Sequence, residues 1–139
     1  MPLFLFDTDH VSLFEQNNPQ LVQRVKARAP GEVVVSPVSV EEALRGRLAV
    51  LARPLKGIQR IAAYAAFMDT VLLFCDWVVV PFDQACEHQF QQLQAQRLRV
   101  GTQDLKIAAV VLVNSLTVLT RNRRDFNRVP GIVVDDWSV

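Results

Sequence analysis

The sequence predicts an α/β domain, a three-layer α/β/α arrangement around a central parallel sheet of four to five strands. Three observations predict it. Short apolar runs at residues 3–6, 33–35, 77–80, 117–119 and 132–134 alternate with longer segments whose apolar residues recur at helical spacing. Such alternation argues for a parallel sheet covered on both faces. Proline and glycine stand at most of the changeovers, with no internal repeat, low-complexity tract or linker. Finally, 139 residues, half of them hydrophobic, suit a single domain over 1–139 whose core needs no disulfide.

The elements follow in order. Strand one, residues 3–6, leads into a helix over 9–16. Asn18 and Pro19 open a second helix through residue 28, with Leu21, Val22 and Val25 on one face. Pro30-Gly31 ends it ahead of strand two, residues 33–35. Ser36-Pro37 starts the next helix, because proline suits a first turn where no intrahelical donor is needed. Leu44, Leu48 and Leu51 give that helix an apolar stripe. Pro54 interrupts the pattern and opens a long helix carrying Ile58, Ile61, Ala62, Ala65 and Met68. Residues 77–80 read as a third strand. Residues 83–98 form a polar helix with Phe90 and Leu93 inward, and Thr102 is the expected N-cap of a helix reaching Val113. Strands at 117–119 and 132–134 complete the sheet.

Composition excludes several function classes. The longest apolar stretches, residues 71–75 and 77–81, are split by Asp76 and fall short of the ~20 residues of a membrane span. The first residues lack the basic region of a signal peptide. Cys75 and Cys86 are spaced neither as a metal knuckle nor as a redox pair, so two buried thiols and a cytoplasmic location are expected. The net charge of +1 conceals 12 Arg against 3 Lys, and Arg is the side chain suited to bidentate phosphate contacts. Arg121, Arg123, Arg124 and Arg128 lie close together in sequence and form a candidate RNA-binding rim.

The acids are the informative residues. Asp7 ends strand one, Glu42 lies early in the helix after strand two, Asp104 in the first turn of the helix after Gly101, and Asp125 after the strand at 117–119. All four belong to the carboxyl edge of a parallel sheet, where open α/β folds bind ligands. Taken singly, each has an ordinary structural reading, as a helix-dipole partner or a cap. Taken together they would repel one another unless a cation lay between them. Oxygen ligands of this kind suit Mg²⁺ or Mn²⁺, and such a site can activate water at a phosphate. His10 and His88 are isolated and read as surface or helix-packing residues.

Four segments then resemble one family. Asp7-Thr8-Asp9 is similar to the first motif of PIN domains. The run from Ser36 to Glu42, followed by Gly46, is similar to the second, and Gly101 to Ala109 to the third, with Asp104 as its acid. Thr120 to Phe126, with Val129-Pro130-Gly131 and Asp136-Trp137, resembles the C-terminal signature of the toxins of VapBC-type toxin–antitoxin pairs. The resemblance implies a Mg²⁺- or Mn²⁺-dependent endoribonuclease, a toxin homodimer, and a small cognate antitoxin protein as partner. It also implies metal binding by Asp7 and Asp104, with Glu42 and Asp125 completing a catalytic acidic site. Thr8, Asp9, Thr120 and Asn122 support it. A basic antitoxin segment would enter this site, and the apolar stretch 62–74 offers surface for self-association.

Two rival readings remain. Residues 3–11 also fit the Asp-x-Asp motif of haloacid-dehalogenase-type phosphatases, with Asp7 as nucleophile, Asp9 as acid/base and Asp135-Asp136 as the last acidic pair. The chain stops three residues after Asp136, and this reading leaves Glu42, Asp104 and Asp125 idle. The other rival is a PIN module that binds protein without catalysis.

Overall fold

The computed structural model describes all 139 residues. Its strands are β1 (Phe4–Phe6), β2 (Val33–Val35), β3 (Thr117–Leu119) and β4 (Val133–Asp135). They pair in the order β2-β1-β3-β4, all parallel. Successive side chains on a strand point to opposite faces. Leu5, Val34 and Val118 therefore enter one core, with Val134 packed against it, while Phe6, Val33, Val35 and Leu119 enter the other. A sheet so short is stable only because both faces are covered.

The first core is closed by α5 (Gln84–Ala95) and α6 (Thr102–Val113), whose Phe90, Leu93, Ile107 and Val110 lie against the strands, together with Phe126 from the one-turn α7 (Arg123–Phe126). The second is closed by α1 (Thr8–Glu15) and α2 (Pro19–Lys26), by Phe74 near the end of α4 (Ile58–Cys75), and by Trp137 beyond β4. The helix α3 (Pro37–Leu51) runs out from β2 and contributes Val38 to the first core and Val40 and Ala43 to the edge of the second. Two Pro-Gly turns feed strands: Gly31 (φ 84°) leads to β2 and Gly131 (φ 79°) to β4, in the left-handed region where a Cβ is penalised.

Several expectations are corrected. Residues 77–80 form no strand. Val79 makes a single parallel bridge to Val35, through Val35 N–H to Val78 O (3.1 Å) and Val80 N–H to Val35 O (2.9 Å). Only Val80 of the three valines is buried, and Pro81, without an N–H, stops the ladder. The Leu44, Leu48 and Leu51 stripe is not core, and Leu48 is exposed, because the outer half of α3 packs on α4 beyond the sheet. Cys75 is exposed and only Cys86 is buried, both as free thiols. The helix α5 stops at Ala95, before the expected 98, and Arg97 follows at φ 53°. By length and composition α4 could cross a membrane (18 residues, mean hydropathy 1.4), which the shorter apolar runs read from the sequence did not reveal. It nonetheless docks on the domain through Thr70, which is fully buried and whose hydroxyl donates to Glu15 (2.9 Å) and accepts from Arg47 Nε (3.0 Å).

The two-face core sets a stability contrast. Leu5→Ala, at a fully buried position in the central strand, is expected to cost ~2–5 kcal/mol. Val133→Ala, on the edge strand and largely exposed, should stay within about 0.5 kcal/mol. Urea unfolding of both variants checks the difference.

Candidate functional site

The strand order reverses direction between β1 and β3, and their carboxyl ends open the crevice where such sheets hold ligands. Asp7 follows β1 directly. Its backbone N–H continues the ladder to Leu119 O (2.9 Å), which fixes the residue against β3. It is the N-cap of α1: Oδ1 accepts from Thr8 N–H (2.7 Å), and Oδ2 accepts from the Thr120 hydroxyl at the end of β3 (2.8 Å). Asp7 is only 6% exposed. Burial, reinforced by the negative charge of Asp9 and opposed by the bonds from Thr120 and Thr8, pushes its carboxyl up to about 7.

The second strand delivers its acid through α3. Ser36 caps that helix, its hydroxyl accepting from Ser39 N–H (3.2 Å), and Pro37 occupies the first turn as expected. One turn further, Glu42 Oε1 accepts the Thr8 hydroxyl at 2.6 Å. The neighbouring Glu41 turns away to Arg45 and Gln103. Of the adjacent glutamates, Glu42 is thus the one that reaches the crevice.

Asp104 sits in the first turn of α6, which Gly101 caps without any side-chain bond. The expected N-cap at Thr102 is therefore corrected: Thr102 is already helical. Asp104 caps nothing either. Its Oδ2 accepts from the Asn122 amide (3.2 Å), and the same amide nitrogen reaches Asp125 Oδ2 (3.1 Å), so Asn122 spans the two acids. Burial, then Glu42 and Asp125, raise the Asp104 carboxyl above its ordinary range. Asp125 also faces Arg128 at 3.5 Å. Asp9 joins the group: its Oδ2 accepts from Arg121 N–H (3.0 Å) and lies 3.3 Å from the Thr120 hydroxyl.

The candidate arginines separate into two kinds. Arg123 pairs with Asp135 (3.3 Å) and Arg128 with Asp125, while Arg121 and Arg124 are exposed and have no acidic partner within 4.0 Å. Sequence reading missed two features. Of the surface and helix-packing roles expected for His10 the structure gives packing, with the ring completely buried against Phe6, and adds an unforeseen contact to Asp9, for which the adjacent Asp9-His10 pair was the available signal. A groove of about 640 Å³ between α1, α3 and α4 runs up to the site, lined by Thr8, Glu15, Glu42, Arg47 and Asp69 among others. The composite origin of that groove left no local pattern.

The donor set favours a hard cation. Every candidate ligand is a carboxylate oxygen, and Asp7, Glu42 and Asp104 have no Lys or Arg within 4.0 Å to offset their charge. No three acids converge closely enough to enclose an ion by themselves. The hydroxyls of Thr8 and Thr120 and the Asn122 amide hold them. An ion there would be held by one or two carboxylates and otherwise by water, as Mg²⁺ commonly is.

Known proteins share the fold and nearly the whole length of this chain. The chain is 24% identical over 138 residues to a tRNA(fMet)-specific endonuclease VapC of Salmonella typhimurium, covering 96% of this chain and 97% of the relative. Its fold matches the crystal structure of DNA-bound VapBC from Salmonella typhimurium (TM-score 0.78, 23% identity, 99% of both chains). It also matches VapBC-5 from Mycobacterium tuberculosis, a member of the VapBC family of toxin–antitoxin systems (TM-score 0.60, 25% identity, covering 99% and 100%). The PIN domain family itself matches residues 5–132, a span that begins in β1, takes in Asp7, Glu42, Asp104 and Asp125, and stops at the threshold of β4; this chain belongs to the PIN domain family.

Proposed function

We propose that this chain is a divalent-metal-dependent endoribonuclease and the toxin of a toxin–antitoxin pair. The observation that carries the reading is the gathering of Asp7, Glu42 and Asp104 in one crevice without a basic partner, in a chain whose full-length relative is an endonuclease. Asp7 and Asp104 would hold Mg²⁺ or Mn²⁺, with Glu42 and Asp125 completing the acidic shell. Such an ion would supply Lewis-acid stabilisation of phosphate charge and a more acidic water. Glu42 Oε1 is engaged by Thr8, which leaves Oε2 to accept a proton from the attacking water. Thr120 and Asn122 hold the carboxylates in register. Arg121 and Arg124, free of acidic partners, contact the RNA backbone. Arg123 and Arg128 are each bound to an acid.

The partner reading rests on the groove. Its wall carries Glu42 and Asp69 without a basic partner, while Glu15 is paired with Arg47 (3.6 Å), so a basic antitoxin segment fits it, ending with a cation among the carboxylates. The exposed Ile61, Met68 and Leu72 of α4 supply the surface for a homodimer. The phosphatase reading leaves Asp104, Glu42 and Asp125 without a role, although they share the crevice with Asp7 through Thr8, Thr120 and Asn122. Asp135 and Asp136 are occupied by Arg123 and Ser138. A purely protein-binding module would carry the crowded acids at a cost and without use.

Cleavage of a tRNA and of an unstructured RNA tests the reading. Asp104→Asn should abolish chelator-sensitive cleavage in both, and Asn122→Ala should lower it by ~10–100-fold, as loss of a group orienting the ligands does. Metal-free Asp104→Asn should nevertheless be as stable as the parent or up to about 1 kcal/mol more stable. Relief of repulsion from Glu42 and Asp125 at least matches the ~0.3–1 kcal/mol lost at the helix N-terminus. Cleavage that persists in chelator, or an active Asp104→Asn, contradicts the proposal.

A second outcome concerns pH. The folded Asp7 carboxyl titrates near 7, against 3.8 as its ordinary value. Between those values the folded chain binds the proton and the unfolded chain does not, so stability falls as pH rises, by about 1.4 kcal/mol per pH unit at most. Below the ordinary value the contribution is fully present; above about 7 it is gone. Thermal melts in chelator should therefore decline from pH 5 to 7. Excess Mg²⁺ should flatten that decline, because it binds the folded, deprotonated site. A chelator slope unchanged in Asp7→Asn would contradict the assignment.

A further inference from the structure

His10 lies in the first turn of α1, completely buried and tilted against the Phe6 ring with centroids 5.7 Å apart. A buried imidazole needs a partner for each nitrogen, and both are present. Nδ1 lies 2.8 Å from Asp9 Oδ1, and Nε2 lies 3.1 Å from the backbone nitrogen of Trp137. Two groups face Nε2: the Trp137 N–H at 3.1 Å, which can only donate, and the Asp136 carboxylate further off at 3.5 Å; the nearer contact makes Nε2 the acceptor and places the ring proton on Nδ1, directed at Asp9. The other Asp9 oxygen receives Arg121 N–H at 3.0 Å. Arg121 is flanked by the two residues that hold the acids: Thr120, which donates to Asp7 at 2.8 Å, and Asn122, which spans Asp104 and Asp125. An unbroken series of hydrogen bonds thus joins the C-terminal turn to the crevice.

We propose that His10 is a positioning residue. In its Nδ1–H tautomer it takes its orientation from the Trp137 backbone and fixes the Asp9 carboxylate. That carboxylate seats the Thr120–Asn122 turn around Asp7 and Asp104. The role is directional, since a carboxylate with one oxygen anchored to a rigid donor presents the other to Arg121 N–H in a single orientation. The activity arm of the test rests on the nuclease reading; the other arms do not.

Two substitutions divide the ring. Asn at this position reproduces the Nδ1 donor toward Asp9 and loses the acceptor for Trp137. Gln reproduces the Nε2 acceptor and loses the donor. Nitrogen NMR of the metal-free, full-length protein is expected to show the His10 ring proton on Nδ1 and an unprotonated, accepting Nε2. His10→Gln should keep Trp137 docked, yet let the Arg121 amide exchange at least ~10-fold faster and lower kcat by ~10–100-fold with KM for RNA unchanged. His10→Asn should loosen Trp137, seen as faster exchange of its backbone amide, yet keep Arg121 protected and retain at least ~10 times the activity of His10→Gln. An Nε2-protonated ring in the parent protein overturns the proposal even where neither variant folds. So does equal loss of Arg121 protection in both variants, or activity that merely follows melting temperature. A parent protein inactive on RNA would remove the nuclease reading, while tautomer and amide exchange would still decide the role of His10.

Discussion

Negative charge is crowded into one end of a very short sheet, and the rest of the site is organised around that fact. Asp7, Asp9, Glu42, Asp104 and Asp125 border one crevice at the carboxyl ends of β1 and β3 without any three closing on one point, and burial and mutual repulsion raise both Asp7 and Asp104. Nothing cationic stands among the inner three. What holds them is a set of neutral donors. The Thr8 hydroxyl goes to Glu42, the Thr120 hydroxyl to Asp7, and the Asn122 amide to Asp104 and Asp125. Neutral donors orient carboxylates without discharging them, so the field that would draw in a divalent ion is preserved.

The fold serves this arrangement economically. Three-residue strands leave little backbone to bury, and the parallel ladder puts the chain exits from β1, β2 and β3 side by side. Each exit then contributes through the residue that follows it. Asp7 caps α1, Ser36 caps α3 and thereby sets Glu42 in its second turn, and Thr120 folds back over Asp7. The fourth contribution comes from the N-terminal turn of α6, which the first core holds by Leu105, Ile107 and Ala108. Core packing and site geometry are therefore one problem: a shift of α6 against the sheet would move Asp104 relative to Asn122.

Much of this was legible in the sequence because the decisive residues lie next to the punctuation that defines the elements. Asp7 follows an apolar run, Glu42 follows Ser36-Pro37, and Asp104 follows Gly101, so placing the strands and helices also placed the acids. Residues 77–80 misled because a run of valines looks alike in a ladder and in a single bridge; whether pairing extends depends on the neighbour and on Pro81. The leucines of α3 have the right period, but period does not say whether the facing surface is core or another exposed helix. The contacts of His10 were missed because its second partner, Trp137, is 127 positions away. Which arginines are free could not be read either, since Asp135 and Asp125 claim theirs only after the chain has folded.

The central claim is that the crevice between β1 and β3 binds a divalent cation through Asp7 and Asp104. Titrating Mn²⁺ into the metal-free protein while following water-proton relaxation measures this without any RNA. The account predicts a saturable enhancement for the parent chain, reflecting a bound ion that keeps exchangeable waters, and its loss in the Asp7→Asn, Asp104→Asn double variant. Equal enhancement in both proteins, with both folded, would place the ion elsewhere and contradict it.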